Sequence, residues 1–243
     1  MPSPFLLWVN SRPLKPDDET WVKWYTTEHL PDLVSSRASS RAAFWQEVGF
    51  PKGKEVDSER KYLALYQSDF QEPLKSQEYE GIRKTSDLFK TGSKVIHENG
   101  EFDARNYGLV QAYDPKKQGE VASQYVLTVE MNPKDEDDFN AWYEEEHLDL
   151  LAKIPGYRRT LRYKVTELVE ALTLTDPPRY LAVHEMDSLD GFMSEAGRKA
   201  VDTEWTKKVM QGSDAYVVRA FKLVKSASAQ RRLSLVSGKP ILD

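Results

Sequence analysis

The sequence predicts an α+β chain made of two ferredoxin-like βαββαβ repeats whose sheets face each other to form one barrel. Three observations carry that expectation. "WYTTEHL" at 24–30 and "WYEEEHL" at 142–148 agree at five of seven positions, the histidine included. At the same offset of 118, "YLALYQSD" (62–69) falls on "YLAVHEMD" (180–187), Leu33 on Leu151 and Arg41 on Arg159. Two separated blocks sharing one offset without a gap point to an internal duplication, and the period is far too long for a solenoid. Third, each copy reads as strand, helix, strand, strand, helix, strand, the split βαβ order of ferredoxin-like units.

The elements follow in chain order. Phe5 to Asn10 is rich in β-forming residues, and Pro16-Asp17-Asp18-Glu19 supplies a helix start. Trp21, Trp24, Tyr25, Leu30 and Leu33 follow at helical spacing. Strands are expected over Ala42–Val48 and Tyr62–Gln67, a helix over Glu78–Lys90, and a closing strand over Asn106–Tyr113. The second copy repeats the order: strand Gln124–Met131, an acidic helix start at Asp135–Asp138, and a helix through Trp142 and His147. Strands Arg158–Val165 and Tyr180–Met186, helices within Leu189–Met210 and a strand over Ala215–Val224 complete it. The expected repeats are therefore 1–114 and 123–225, joined by the exposed connection "DPKKQGEVAS" and followed by a tail, 226–243. Within the tail, "RRLS" (231–234) has the pattern of a basophilic kinase site, a pattern common by chance.

An open four-stranded sheet carries helices on one face only, so its other face must be covered. Strand alternation puts Leu63 and Leu65 on one side and Tyr62, Ala64 and Tyr66 on the other. The second copy shows Leu181 and Val183 against Tyr180, Ala182 and His184. The aliphatic row suits packing under helices, and the aromatic row suits the sheet-to-sheet interior or a pocket wall.

Bulk properties narrow the function classes. A chain of 243 residues with 40% apolar, 30% charged and 11% aromatic residues is that of a soluble folded protein. A net charge of −5 without a basic run argues against nucleic acid as partner. The absence of cysteine removes disulfides, thiolate metal sites and a thiol nucleophile. The apolar run Phe5–Val9 is too short for a signal peptide or membrane span, which suits a cytoplasmic protein. No metal pair such as HxxxH or HxH occurs, and neither a dinucleotide fingerprint, a phosphate loop nor a GxSxG elbow is present. Neither metal nor cofactor is expected.

Trp142, His147 and the turn Pro155-Gly156-Tyr157 in "LLAKIPGYRR" resemble the EthD-like branch of the dimeric α+β barrel superfamily. The first copy keeps Trp24 and His29 but has Arg37-Ala38-Ser39 at the turn. The resemblance implies the barrel fold and small, often cofactor-free proteins, among them quinone-forming monooxygenases, polyketide cyclases, lactone isomerases and haem peroxidases. Because the second copy alone keeps the turn, it is the expected home of a single site.

Four histidines are available: His29, His97, His147 and His184. His97 reads as a surface residue. His29 and His147 lie toward the end of the first helix of each copy, where the helix dipole favours imidazolium. Their recurrence fits acid–base work and fits equally well a structural role beside Trp24 and Trp142. His184 is where the copies differ, Tyr66 holding the same place in the first. Arg158, Arg159 and Arg162 read as a solvated strand face or as a carboxylate or phenolate site.

The expected activity is cofactor-independent proton transfer on an aromatic or polyketide-like substrate of secondary metabolism: cyclisation, isomerisation, dehydration or decarboxylation. His147, His184 and His29 are the candidate acid–base groups, and Tyr66, Tyr180, Trp142, Tyr143, Trp24 and Tyr62 the candidate pocket walls. A cofactor-free monooxygenase of an activated phenol and a non-catalytic carrier of a hydrophobic ligand are the alternatives. The only expected partner is the small molecule, with the chain a monomer or a homodimer.

Overall fold

The computed structural model describes residues 2–51, 53–56, 58–90, 92–169 and 177–228. The strands are β1 (Phe5–Pro13), β2 (Arg41–Val48), β3 (Tyr62–Ser68), β4 (Gly100–Tyr113), β5 (Tyr125–Pro133), β6 (Tyr157–Leu168), β7 (Tyr180–Met186) and β8 (Ser213–Ser228). They close, all antiparallel, into a barrel of order β1-β3-β2-β8-β5-β7-β6-β4. Within the first half the neighbours run β4-β1-β3-β2, and within the second β8-β5-β7-β6, which is the same order. Each half alone would have two edges with unpaired backbone. The seams β2–β8 and β4–β6 remove them.

Equivalent turns open the two helical layers. Asp17 accepts a hydrogen bond from the Thr20 N–H at 2.7 Å and starts α1 (Asp18–Trp24); Asp135 accepts from Asp138 at 3.0 Å and starts α4 (Glu136–Trp142). Both helices then take a π-helical turn, Tyr25–His29 and Tyr143–His147, before continuing as α2 (Leu30–Ser35) and α5 (Leu148–Leu151). The Leu30 N–H reaches Tyr25 and the Leu148 N–H reaches Tyr143, five residues back. The repeated heptapeptide is therefore this turn, met twice. Because the helix runs on, neither histidine sits at its C-terminus, and the expected support for imidazolium is absent.

The helix expected over Glu78–Lys90 is a single turn, α3 (Gln77–Glu80). Gly81 ends it; the Ser86 N–H then donates to the Lys94 carbonyl, and Ser86 Oγ accepts from the Leu88 N–H. Such local side-chain bonds compete with a helix. The second half keeps real helices there, α6 (Glu195–Val201) and α7 (Glu204–Gln211), capped by Ser194 and Thr203. The "RRLS" segment and all of 229–243 lie outside the described residues; Ser226–Ser228 finish β8 rather than begin a tail.

The two faces of each sheet are assigned the other way round from expectation. Leu63, Leu65, Leu181 and Val183 meet inside the barrel with Leu6, Trp8, Trp45, Val126, Leu161 and Tyr163. Tyr62, Ala64 and Tyr66 lie under the first helical layer with Trp21, Trp24 and Tyr25. Tyr180 and Ala182 lie under the second layer with Phe139, Trp142 and Tyr143. The interior cluster joins side chains of both halves and includes rings as well as aliphatics, Trp8, Trp45, Tyr107, Tyr163 and Phe221 among them. The reversal puts His184 on the same side of the sheet as the helix that carries His147.

Candidate active site

The first half fills its helix–sheet gap with stacked rings. Tyr25 stacks on Phe44 at 4.1 Å, Phe44 on Tyr62 at 5.4 Å, and Trp21 packs on Trp24 and Phe89. His29 lies on the Trp24 face at 4.6 Å and edge-on to Tyr66 at 6.1 Å. The Tyr66 hydroxyl is buried without a partner. Tyr62, Tyr66, Trp24 and His29 are thus brought together, but in a packed aromatic layer.

The second half keeps the framework and changes the filling. Its ladder pairs Thr160 with His184 where the first pairs Ala42 with Tyr66, so the 118 offset holds in three dimensions. Phe44 becomes Arg162, whose guanidinium lies 3.8 Å over Tyr143 and 5.0 Å from Phe139. Arg162 is 2% exposed and donates to the amide oxygens of Gln111 and Asn140, at 2.8 and 2.7 Å. Both of these partners are neutral amides, so its positive charge acts on its surroundings. Arg159 too is buried, and it faces the barrel interior. The expected solvated face therefore fails for both residues, because β6 is covered on each side.

Between β5, β7 and β8 and the helices α4–α7 lies a cavity of about 240 Å³. His147, His184, Trp142 and Tyr143 line it, with Leu127, Met131, Phe192, Thr206 and Met210 among its other walls. The loop residues Phe50 and Pro51 reach in from the first half. Exposed Met193, Val201 and Tyr216 stand at its rim. Tyr180 belongs to the same layer but outside this lining; its hydroxyl donates to Glu136 at 2.6 Å.

The polar groups inside are few and specific. His147, 6% exposed, stacks on Trp142 at 4.1 Å, and Trp142 Nε1–H donates to Thr206 Oγ1 at 3.1 Å. Thr203 donates to Glu146 at 2.6 Å and so ties the π turn to α7. His147 hydrogen-bonds the backbone of Ala200, while its Nδ1 has no partner. With Nε2–H donating to that carbonyl, Nδ1 is an open acceptor beside the cavity. An orphaned buried acceptor asks for a donor. His184, 2% exposed, has Nδ1 at 2.8 Å from Thr160 Oγ1, which is itself 2.8 Å from the Tyr157 hydroxyl. Burial pushes both imidazoles down to about 3, helped for His184 by Arg162 and for His147 by His184 and Arg162. Both rings are neutral at physiological pH. Two neutral, differently tethered imidazoles in an apolar cavity can accept a proton at one point and donate a hydrogen bond at another.

Among the described residues no group of three or more His, Cys, Asp or Glu is placed to hold a metal ion. No helix among them is long and apolar enough to cross a membrane. His97 is exposed in a short turn. Thr160 is a residue the sequence reading missed and Arg162 one it weighed only as part of a basic strand face or a carboxylate or phenolate site; a scan for polar replacements at the 118 offset, Ala42 to Thr160 and Phe44 to Arg162, marks both.

No family model matches the chain. Core atranone cluster protein 1 of Stachybotrys chlorohalonatus is 28% identical over 200 residues, which is 76% of this chain and 83% of the relative. An anthrone oxidase-like protein of known structure superposes with a TM-score of 0.57 at 14% identity, over 96% of this chain and 97% of its own. A monooxygenase candidate from Fusobacterium nucleatum subsp. nucleatum gives 0.54 at 14% identity, over 94% and 96%. A mutant chlorite dismutase from Candidatus Nitrospira defluvii in complex with cyanide gives 0.55 at 9%, over 91% and 90%. At these identities the solved structures share the fold, an α+β barrel.

Proposed function

We propose that the chain is a small-molecule enzyme of secondary metabolism that deprotonates an aromatic, polyketide-like substrate in the cavity of its second half. The observation that carries the reading is the pairing of His147 and His184, both neutral, in one apolar cavity where the first half has packed rings. His147 Nδ1 takes a proton from an activated C–H or phenolic O–H. His184, with its Nδ1 accepting from Thr160, turns Nε2–H toward the oxygen on which charge develops. Trp142 and Tyr143 hold the flat ring system, and Arg162 beneath Tyr143 supplies positive potential without touching the substrate. Carbanion or phenolate formation is the shared step behind cyclisation, isomerisation, dehydration and decarboxylation.

The similarity to an atranone cluster protein supports a place in secondary metabolism. One further reading has an observation in its favour: the anthrone oxidase-like neighbour makes O2 a natural second reactant of the same carbanion. We also infer that the barrel arose by tandem duplication of one βαββαβ unit, 1–114 and 123–225, so that a single chain makes a dimeric-type α+β barrel. The shared strand order, the shared π turn and the constant 118 offset support this.

The test is turnover of anthrone by the full chain, under air and under argon, in the wild type and in His147→Gln, His184→Gln and His29→Gln. Loss of about 10²-fold or more in the first two with retention in the third is expected. Product only under air favours the oxygenase. Full activity in both His147→Gln and His184→Gln would remove the mechanism.

A further inference from the structure

A second cavity, about 520 Å³, lies inside the barrel on the opposite side of the sheets from the histidines. Leu6, Trp45, Leu65, Val126, Leu161 and Tyr163 give it apolar walls. One corner is charged. Arg41 from β2, Arg159 from β6, Glu185 from β7 and Glu120 from the connecting segment meet there. Glu120 lies 2.8 Å from Arg41 Nη1 and 2.9 Å from Arg159 Nη1, and Arg159 Nη2 lies 2.7 Å from Glu185. Two polar atoms at this corner are buried and unpartnered, Arg159 Nε and Glu185 Oε2.

We propose that the barrel interior is a ligand site for an aromatic carboxylate, whose head group replaces the Glu120 carboxylate between Arg41 and Arg159. Three features carry it. Glu120 belongs to the connection between the halves rather than to a strand, so it can leave without breaking a ladder. It already shows that a carboxylate is accepted between these two guanidiniums, which is the geometry arginine provides. Exchange of one carboxylate for another keeps the charge of the corner unchanged, whereas a neutral head group would not. The body of the ligand then fills the space beside Trp45 and Tyr163, in a cavity whose volume is within the range of small-molecule sites. The buried, unpartnered Arg159 Nε–H is a donor that an incoming carboxylate can meet. The site is independent of the histidine cavity.

The test is calorimetric titration of the full chain with 2-naphthoate and, as the neutral control, 2-naphthamide. Glu120→Gln removes the resident carboxylate and should tighten naphthoate binding by about tenfold or more, while Arg41→Gln weakens it by a similar factor. Leu65→Trp, which fills the barrel, should abolish it, with near-UV circular dichroism confirming the fold and Val126→Phe as the milder second filling. The proposal is overturned if the amide binds as well as the acid, or if Glu120→Gln leaves the affinity unchanged. It is also overturned if neither protein binds naphthoate, or if Val218→Trp in the histidine cavity removes binding that Leu65→Trp preserves. Each of these failures leaves the histidine reading untouched.

Discussion

At the scale of single residues, the two halves act as controls for one another. Phe44 and Arg162 occupy equivalent places on β2 and β6, Phe44 stacked on Tyr25 and Tyr62, Arg162 lying over Tyr143 and near Phe139. Arg162→Phe should therefore fold, because its twin already does, at the cost of leaving the Gln111 and Asn140 oxygens unpaired. The guanidinium lowers both histidines, so its removal should raise their titration midpoints, which histidine-resolved NMR would read. In the wild type, bases pushed to about 3 stay unprotonated through mild acid. The kcat/KM profile should then lack an acid limb near the usual imidazole value, and Arg162→Phe should shift any limb upward. Thr160→Ala, again the first-half residue, strips His184 Nδ1 and the Tyr157 hydroxyl of their shared partner. A cost of about 1–3 kcal/mol in urea unfolding is expected, with turnover reduced as His184 loses its tether.

At the scale of elements, the turn into β6 is a place where the two halves differ. Gly156 has φ +84°, and a Cβ there would sit 3.1 Å from the Ser188 backbone. Gly156→Ala should lower stability by about 1 kcal/mol or more, read as a fall in melting midpoint, and disturb Tyr157 at the head of the relay. Strand positions, the first helices and the 118 offset were legible in the sequence because periodicity and capping are local. The helix over Glu78–Lys90 was misread because its apolar spacing was real while Gly81 and Ser86 break the backbone pattern. The sense of the strand rows was misread for a different reason. Alternation separates two faces but does not say which one meets the helices, and large rings occur on both sides of these sheets. His147 and His184 were legible as candidates; their meeting in one cavity was not, since it depends on that sense. Tyr66, Tyr62, Trp24 and His29 carry the same signal as their partners, and a sequence match alone cannot separate a filled gap from an open one.

At the scale of the whole molecule, the halves are locked by reciprocal polar contacts as well as by strand pairing. Arg105 in β4 pairs with Asp103 and reaches Glu130 in the second half at 2.5 Å; Arg219 in β8 reaches Asn10 in the first at 2.8 Å and pairs with Glu47. Breaking such a buried pair from one side is costly, and Glu130→Ala should lose about 3–5 kcal/mol in urea unfolding. The buried histidines set the acid behaviour. Their folded values lie below the unfolded one, so the unfolded chain binds protons first as pH falls; stability is complete above about 6.5 and declines from there toward about 3. His184→Gln should reduce that slope by up to about 1.4 kcal/mol per pH unit, seen in urea midpoints across the acid range. The central claim is that proton abstraction takes place in the second half alone. Its most direct test is deuterium wash-in at the C10 methylene of anthrone in D2O under argon, where no oxygen chemistry can intervene. The account predicts catalysed exchange by the wild type and by His29→Gln, and loss of it in His147→Gln. Exchange that survives in His147→Gln but disappears in His29→Gln would contradict it.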